Sequence, residues 1–272
     1  MPYDPDQYWR DLHSRGDLSA VGQAGMPPEI NQWLYRTFAR NLRKFVRRQH
    51  LLNPIPQSVF DIGAGLGYWI EFWRGLGVQR VDGCDLVPAA VERLNAKFAA
   101  GTSRFVVADV GLSVNAPLAE GYELVTCMNV LLHIMDEIRF DHALANTAQL
   151  VKPGGHLLLG EPILLQAEYD RDPQPEWESR ARPLDRYRLG LEAAGLRLTA
   201  IKAGTVLGNN PMEAHSPRAY SMYWAWWSRF HGKTQSARWT RVLGPTMYAL
   251  DGLLMRTGAA PTTKFALFRR PE

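Results

Sequence analysis

The chain has 272 residues, 46% hydrophobic and 21% charged, which suits a folded α/β domain with its own core and excludes a disordered polymer. A net charge of +4 and a pI near 9.1 make it mildly basic, a balance that bears on solubility before it bears on nucleic acid. Two cysteines, Cys84 and Cys127, sit in apolar runs and read as buried thiols; they cannot by themselves build a disulfide framework, a zinc site or an iron–sulfur cluster. The opening residues carry no apolar run of the secretion-signal kind. The longest apolar stretches near the C-terminus are broken by Arg241, Pro245 and Asp251, short of the ~20 residues that a membrane span needs. The expectation is a cytoplasmic protein.

In chain order, residues 1–30 mix aromatics, charges, Gly and Pro, and predict irregular chain with a short helix around 8–12. Asn31, after Pro27 and Pro28, reads as a helix N-cap. From 31 to 49, Leu34, Phe38, Leu42, Phe45 and Val46 fall at helical spacing, and six Arg and Lys side chains fill much of the remainder. A basic amphipathic helix can lie on a membrane or on nucleic acid, or can be a surface helix with its cations in water. Asn53-Pro-Ile-Pro56 reads as a linker.

Strands then alternate with helices, the rhythm of a parallel sheet. Strands are expected at 58–62, 79–85, 104–108, 122–128, 156–161 and 196–203, and helices at 67–76, 88–100, 136–151 and 183–194. Pro153-Gly154-Gly155 turns the chain into the fifth strand. After 203 the pattern breaks. A loop over 209–215 precedes Tyr220, Tyr223, Trp224, Trp226, Trp227 and Trp239, then an apolar segment over 242–255 and a last strand over 264–268.

The sharpest signal is Ser58-Val-Phe-Asp61-Ile-Gly63-Ala64-Gly65-Leu-Gly67-Tyr68-Trp69. An apolar run ends in an acid, three glycines follow at alternate positions, and a helical pattern begins: strand, tight turn, helix. Glycine permits the sharp turn and lets a ligand lie against bare main chain. The helix N-terminus behind it adds unpaired N–H groups and a positive dipole end. A dinucleotide fingerprint sets its third glycine three positions after the second. Here that position is Tyr68, and Gly67 comes one residue early. Asp61 would repel a pyrophosphate and suits a cationic ligand.

Ligands of open α/β sheets bind beyond the carboxyl ends of the strands. The second strand ends in Asp85-Leu86, at the distance where an acid takes ribose hydroxyls, although a solvated strand-end acid fits equally. The third ends in Asp109-Val110, which alone reads as a turn or helix-cap acid. The fourth runs into Asn129-Val-Leu-Leu-His133. Taken together, Asp61 with its glycines, Asp85, Asp109, the 129–133 segment and Lys152-Pro-Gly-Gly155 resemble the motifs of class I (Rossmann-like) S-adenosylmethionine-dependent methyltransferases, over about residues 55–204 and the last strand.

That resemblance implies a doubly wound, mostly parallel seven-stranded sheet with an antiparallel last strand. Beside this cofactor-binding core (55–211) and the last core strand (261–272), the sequence pattern sets an N-terminal helical cap (1–54) and an aromatic-rich insertion (212–260), which the resemblance does not cover. The resemblance implies S-adenosylmethionine (SAM) as cofactor and S-adenosylhomocysteine as product. Asp61 would help hold the methionine amino group. Gly63, Ala64, Gly65 and Gly67 would face the nucleoside, with Tyr68 beside them. Asp85 and Leu86 would meet the ribose, Asp109 and Val110 the adenine, and Asn129 the cofactor from the segment after the fourth strand. No metal is implied, because Asn129, Val130 and Leu131 stand where magnesium-dependent catechol-type enzymes carry carboxylates.

The reaction implied is methyl transfer to an aligned nucleophile, and such positioning is worth ~7–11 kcal/mol. His133 is the candidate general base, on the ground that an imidazole is near half-protonated at neutral pH; it equally reads as a histidine that orients substrate. Tyr8, Trp9 and Trp33 in the cap, Glu161 at the end of the fifth strand and Tyr223 in the insertion are the candidate substrate contacts. The expected acceptor is an oxygen or nitrogen of a small-molecule or glycan-type metabolite. The basic, aromatic insertion fits an aromatic, anionic or lipid-linked one, and a peripheral membrane contact is open. A nucleic-acid methyltransferase is the first alternative, disfavoured because Asn129-Val-Leu-Leu replaces the Asn/Asp-Pro-Pro-aromatic motif of base-amine enzymes. A non-catalytic SAM-binding scaffold is the second. The oligomeric state is not written in the sequence.

Overall fold

The structure, a computed structural model, describes residues 5–13, 22–23, 25–112, 121–170 and 178–272. Of the irregular chain expected over 1–30, residues 1–4, 14–21 and 24 lie outside the described residues. The elements run α1 (Pro5–His13), α2 (Pro28–Arg48), β1 (Ser58–Ile62), α3 (Tyr68–Arg74), β2 (Arg80–Asp85), α4 (Pro88–Lys97), β3 (Phe105–Val107) and β4 (Tyr122–Met128). After a 3-10 turn, Leu131–His133, come α5 (Glu137–Gln149), β5 (Val151–Glu161), β6 (Ile163–Leu164), β7 (Arg182–Pro183), α6 (Leu184–Ala193), β8 (Arg197–Ala203), α7 (Pro217–Thr234), α8 (Ala237–Leu254) and β9 (Lys264–Arg269).

Seven strands form one sheet in the order β3-β2-β1-β4-β5-β9-β8. β9 is antiparallel to both β5 and β8, while β1 to β5 pair in parallel. Strand order reverses between β1 and β4, which opens a crevice at their carboxyl ends. Each central strand is buried on both faces, so it reads as an unbroken apolar run. Alternation sorts the side chains: Leu157 and Leu159 of β5 join Phe140, Leu144 and Tyr187 under α5 and α6. Leu158 joins Trp73, Val81 and Phe265 under α2, α3 and α4.

Two boundaries differ from the sequence reading. α2 begins at Pro28, which suits a first helical turn. Asn31 is therefore not the cap; it is fully buried inside the helix, and its side chain accepts from the Gln23 amide at 2.8 Å and donates to the Met26 carbonyl at 3.2 Å. β5 begins at Val151, which pairs with Tyr122 before the register shifts and resumes at Leu124 and His156. Pro153 has no N–H for the ladder, so 152–155 bulge out of it. The paired two-residue strands β6 and β7 were not foreseen, since so short a run has no readable period.

The cap and the insertion meet on α2. Its Ile30 and Leu34 pack with Val206, Leu207, Trp227, Phe230 and Met247. Further along, its Phe38, Leu42, Phe45 and Val46 belong to the sheet core. Buried Asp251 of α8 fastens the joint: it accepts from Arg40 at 2.9 Å, Asn41 at 2.9 Å and the amides of Val206 and Leu207 at 2.7 and 2.9 Å. Arg40 also lies 4.1 Å over the Tyr248 ring. Pro245 stays inside α8, so the run that looked broken in sequence is one helix. Among the described residues, no helix is long and apolar enough to cross a membrane.

Candidate active site

A cleft of ≈ 320 Å³ opens beyond the carboxyl ends of β1 to β4, lined by Gly63 to Leu66, Asp85, Leu86, Asp109, Val110, Asn129 and His133, with Trp9, Tyr35 and Tyr68 around it. The turn after β1 needs glycine: Gly63 has φ +69°, and a Cβ there would stand 2.3 Å from Val130. Gly67 departs from its expected role. It caps α3 at φ +80°, and the space its missing Cβ leaves is closed by Phe98 and Leu94, so it shapes the turn without lining the cleft.

Asp85 is 6% exposed and ties two loops: Oδ2 accepts from the Gly65 amide at 2.8 Å and Oδ1 from the Val87 amide at 2.9 Å. Each oxygen keeps a further lone pair for another donor. Asp109 comes with a cation. Its Oδ1 accepts from the Gly111 amide at 2.8 Å, and its Oδ2 is ion-paired with Arg139 of α5, which also lines the cleft. Sequence reasoning missed Arg139; a partner thirty positions away leaves no local pattern.

Asp61 stands just before the first lining residue of β1, is fully buried, and does not itself line the cleft. Thr126 donates to its Oδ1 at 2.6 Å, while Oδ2 has no hydrogen-bond partner among the described residues. Burial pushes its pKa up to about 7, Thr126 pulls against that, and nearby Asp85 adds to it.

The candidate substrate contacts divide. Trp9 lines the cleft and meets His133 edge-on, ring centroids 4.7 Å apart, and Tyr8 packs edge-on against Trp9 at 5.2 Å. Tyr35 and Tyr68 pack tilted against each other, ring centroids 4.7 Å apart. Burial holds the Tyr35 hydroxyl above its ordinary range, and Tyr68 and Asp61 add to the effect. Trp33, Tyr223 and Glu161 are not at the cleft. Trp33 packs on Tyr248 of α8, because its helix face looks at the insertion. Tyr223 packs beside the cluster that Ile30 and Leu34 form with Trp227 and Phe230. Glu161 is fully buried and turned toward main chain.

That main chain is the turn carrying His133. Glu161 accepts from the amides of Val130 (2.8 Å), Leu131 (3.1 Å) and Leu132 (3.2 Å). Burial lifts its carboxyl to about 7 against these donors. Arg182 donates to the Ile134 carbonyl at 2.6 Å, and the Arg180 amide to the Leu132 carbonyl at 2.8 Å. The Nδ1 of half-buried His133 lies 2.6 Å from the Glu178 carbonyl. A carbonyl only accepts, so Nδ1 carries the hydrogen and Nε2 keeps a bare lone pair. Burial lowers the ring's pKa to about 4, with Glu178 opposing. The half-protonated imidazole expected from sequence is thus corrected to a neutral one at pH 7.

Residues 59–155 match the model of a family described as Methyltransferase domain. Over 103 residues the chain is 36% identical to the ubiquinone biosynthesis O-methyltransferase of Photorhabdus laumondii, covering 37% of this chain and 41% of that protein. The chain thus spans about two fifths of the length of the curated relatives it matches. Among solved structures, a S-adenosylmethionine-dependent methyltransferase from Clostridium acetobutylicum superposes with a TM-score of 0.54 at 12% identity, over 88% of this chain and 92% of that one. The N-methyltransferase NodS from Bradyrhizobium japonicum, in complex with S-adenosyl-L-homocysteine, does so with a TM-score of 0.53 at 17% identity, over 86% and 88%. At such identities the likeness is one of fold. In its sheet order, in the order of its motifs and in the family match over 59–155, the core of the chain is similar to the class I (Rossmann-like) S-adenosylmethionine-dependent methyltransferases.

Proposed function

We propose that the chain transfers a methyl group from SAM to an oxygen or nitrogen of a small-molecule acceptor, with oxygen the first choice. The observation that carries this reading is the Asp61 oxygen, buried without a donor beside a cleft whose rim holds Asp85 and Asp109. A buried carboxylate oxygen with no partner is costly, and a cationic amine removes the cost. The residues therefore fit the cofactor: Asp61 for the methionine amine, the Gly63 to Gly65 main chain and Asp85 for the ribose side, Asp109 and Val110 for the adenine. SAM, when bound, supplies an electrophilic methyl on a sulfonium centre.

The chain's own part is to bind, align and exclude water. Trp9, Tyr35 and Tyr68 line the cleft with aromatic rings, which suit a cation or a planar acceptor. His133 offers Nε2 as proton acceptor for a hydroxyl nucleophile, its other nitrogen being engaged by Glu178. The name of the relatives that match at 33–37% identity, ubiquinone biosynthesis O-methyltransferase, supports oxygen. The family match ends at 155, so α7 and α8 inherit no relative's substrate.

The test is calorimetric titration with SAM and its demethylated product, followed by transfer of radiolabelled methyl to phenols, amino sugars and nucleic acid. Tight cofactor binding with label on a phenol or amine is expected. Absence of cofactor binding would sink the reading. Binding with no transfer to any component of a cell extract favours a scaffold, and label on nucleic acid favours the alternative enzyme.

A further inference from the structure

We propose that the α7–α8 hairpin is a docking face for an anionic phospholipid bilayer. Three observations meet there, and none depends on what fills the cleft.

The first is charge. The two helices carry Arg218, Arg229, Lys233, Arg238 and Arg241. Their one acid, Asp251, is fully buried and paired with Arg40 of α2, so the two helices themselves present no surface carboxylate beside these cations. The second is apolar exposure. Of twelve exposed large hydrophobic side chains among the described residues, six lie on these two helices: Met222, Trp224, Trp239, Val242, Leu250 and Leu253. Met222 and Leu253 are 66% and 58% exposed. The third is arrangement. Met222, Arg229 and Lys233 follow one another at helical spacing along α7, and Val242, Thr246, Leu250 and Leu253 do so along α8. Met222, Arg229, Lys233, Thr246 and Leu250 all border one groove of ≈ 460 Å³, so apolar and cationic groups are presented together.

A bilayer surface of anionic lipid matches this pattern. Apolar side chains enter the boundary of the acyl region while Lys and Arg meet the headgroups, and tryptophan favours that depth. A second copy of the chain is a poorer occupant, because two such faces would set cation against cation. Placement gives the contact a use. The hairpin leaves the sheet after β8 and returns at the start of β9, which is antiparallel, so it rises from the sheet end at which the cleft opens.

The experiment is co-sedimentation of the full chain with vesicles of phosphatidylcholine alone and with about one part in four phosphatidylglycerol, across a salt series. The expected result is binding ~10-fold or more tighter to the anionic vesicles, weakening as salt rises. Arg229→Glu with Lys233→Glu should lower that binding ~10-fold or more at unchanged melting temperature and SAM affinity. Met222→Ser with Leu250→Ser, both exposed, should weaken it as well, and this pair carries the test if the charge variant is misfolded. Equal binding to both vesicle types, no vesicle binding by the native chain, or binding indifferent to both variants overturns the proposal. So does self-association through this face, or salt-sensitive capture of an acidic polypeptide such as polyglutamate, without vesicle binding.

Discussion

Glu161 and Arg182 grip one turn from opposite sides: the carboxylate accepts the amides of Val130, Leu131 and Leu132, and the guanidinium donates to the carbonyls of Leu131 and Ile134. His133 sits between these contacts, so the main chain that carries its ring is held by two residues that do not line the cleft. Glu161→Gln would keep one acceptor and turn an NH₂ toward the Leu132 amide, donor against donor. The expected cost is ~1–3 kcal/mol in a denaturant melt. Turnover should fall with KM and cofactor affinity little changed, as for a positioning residue. Unchanged turnover would mean that Arg182 and its neighbours hold the turn alone.

Asp61 should make cofactor binding depend on pH. Its folded pKa of about 7 lies above the ordinary 3.8, so between those values the folded state binds more protons than the unfolded one. Its contribution to stability therefore falls as pH rises through that window. A cation bound at Asp61 works in the opposite direction, since binding must expel the proton. SAM affinity should rise by up to ~10-fold per pH unit below 7 and level off above it. Asp61→Asn should abolish that slope, stabilise the free protein at pH 8 and weaken cofactor binding. Titrations at two pH values in buffers of different ionisation enthalpy check the slope and the affinity, and thermal melts of the free protein at pH 8 check the stability.

The lowered pKa of His133 fixes where an acid limb belongs. With the ring neutral down to about 4, turnover limited by this group should stay flat from pH 8 to pH ~5.5 and decline only below that. His133→Ala should reduce turnover by ~10²–10⁴-fold if Nε2 is the base, with SAM affinity retained. A limb near 6.5 in the native protein, absent from the variant, would contradict the buried environment described for the ring.

Gly244 has no room for a side chain. A Cβ there would lie 2.1 Å from Cδ1 of Trp33, so Gly244→Ala must displace the indole from the α2–α8 contact. Overpacking of this kind costs ~1–3 kcal/mol, read as a lower melting temperature, while SAM titration should be unaffected. An unchanged melting temperature would show that the joint is looser than the packing implies.

Much of this was written locally in the chain. β1 and β4 fall where their apolar runs, bounded by turn residues, end in sequence. Glu161 shows a signal read the wrong way: it shares the odd parity of Leu157 and Leu159, so strict alternation along β5 already assigns it to the core face. Other features had no local trace. Arg139 meets Asp109, and Arg40 meets Asp251, across 30 and 211 positions, and the Trp33 face of α2 looks at a helix that periodicity within α2 cannot name.

α2 is common property of two cores, and that sets a limit on modularity. Cutting out 217–254 to obtain a minimal catalytic unit would strip Ile30 and Leu34 of their cover and remove the acid that receives Arg40 and Asn41. The truncated chain would retain every group around the cleft and still fold poorly. Exchange of acceptor specificity between proteins of this architecture should therefore carry the long helix and the hairpin across as one inherited block.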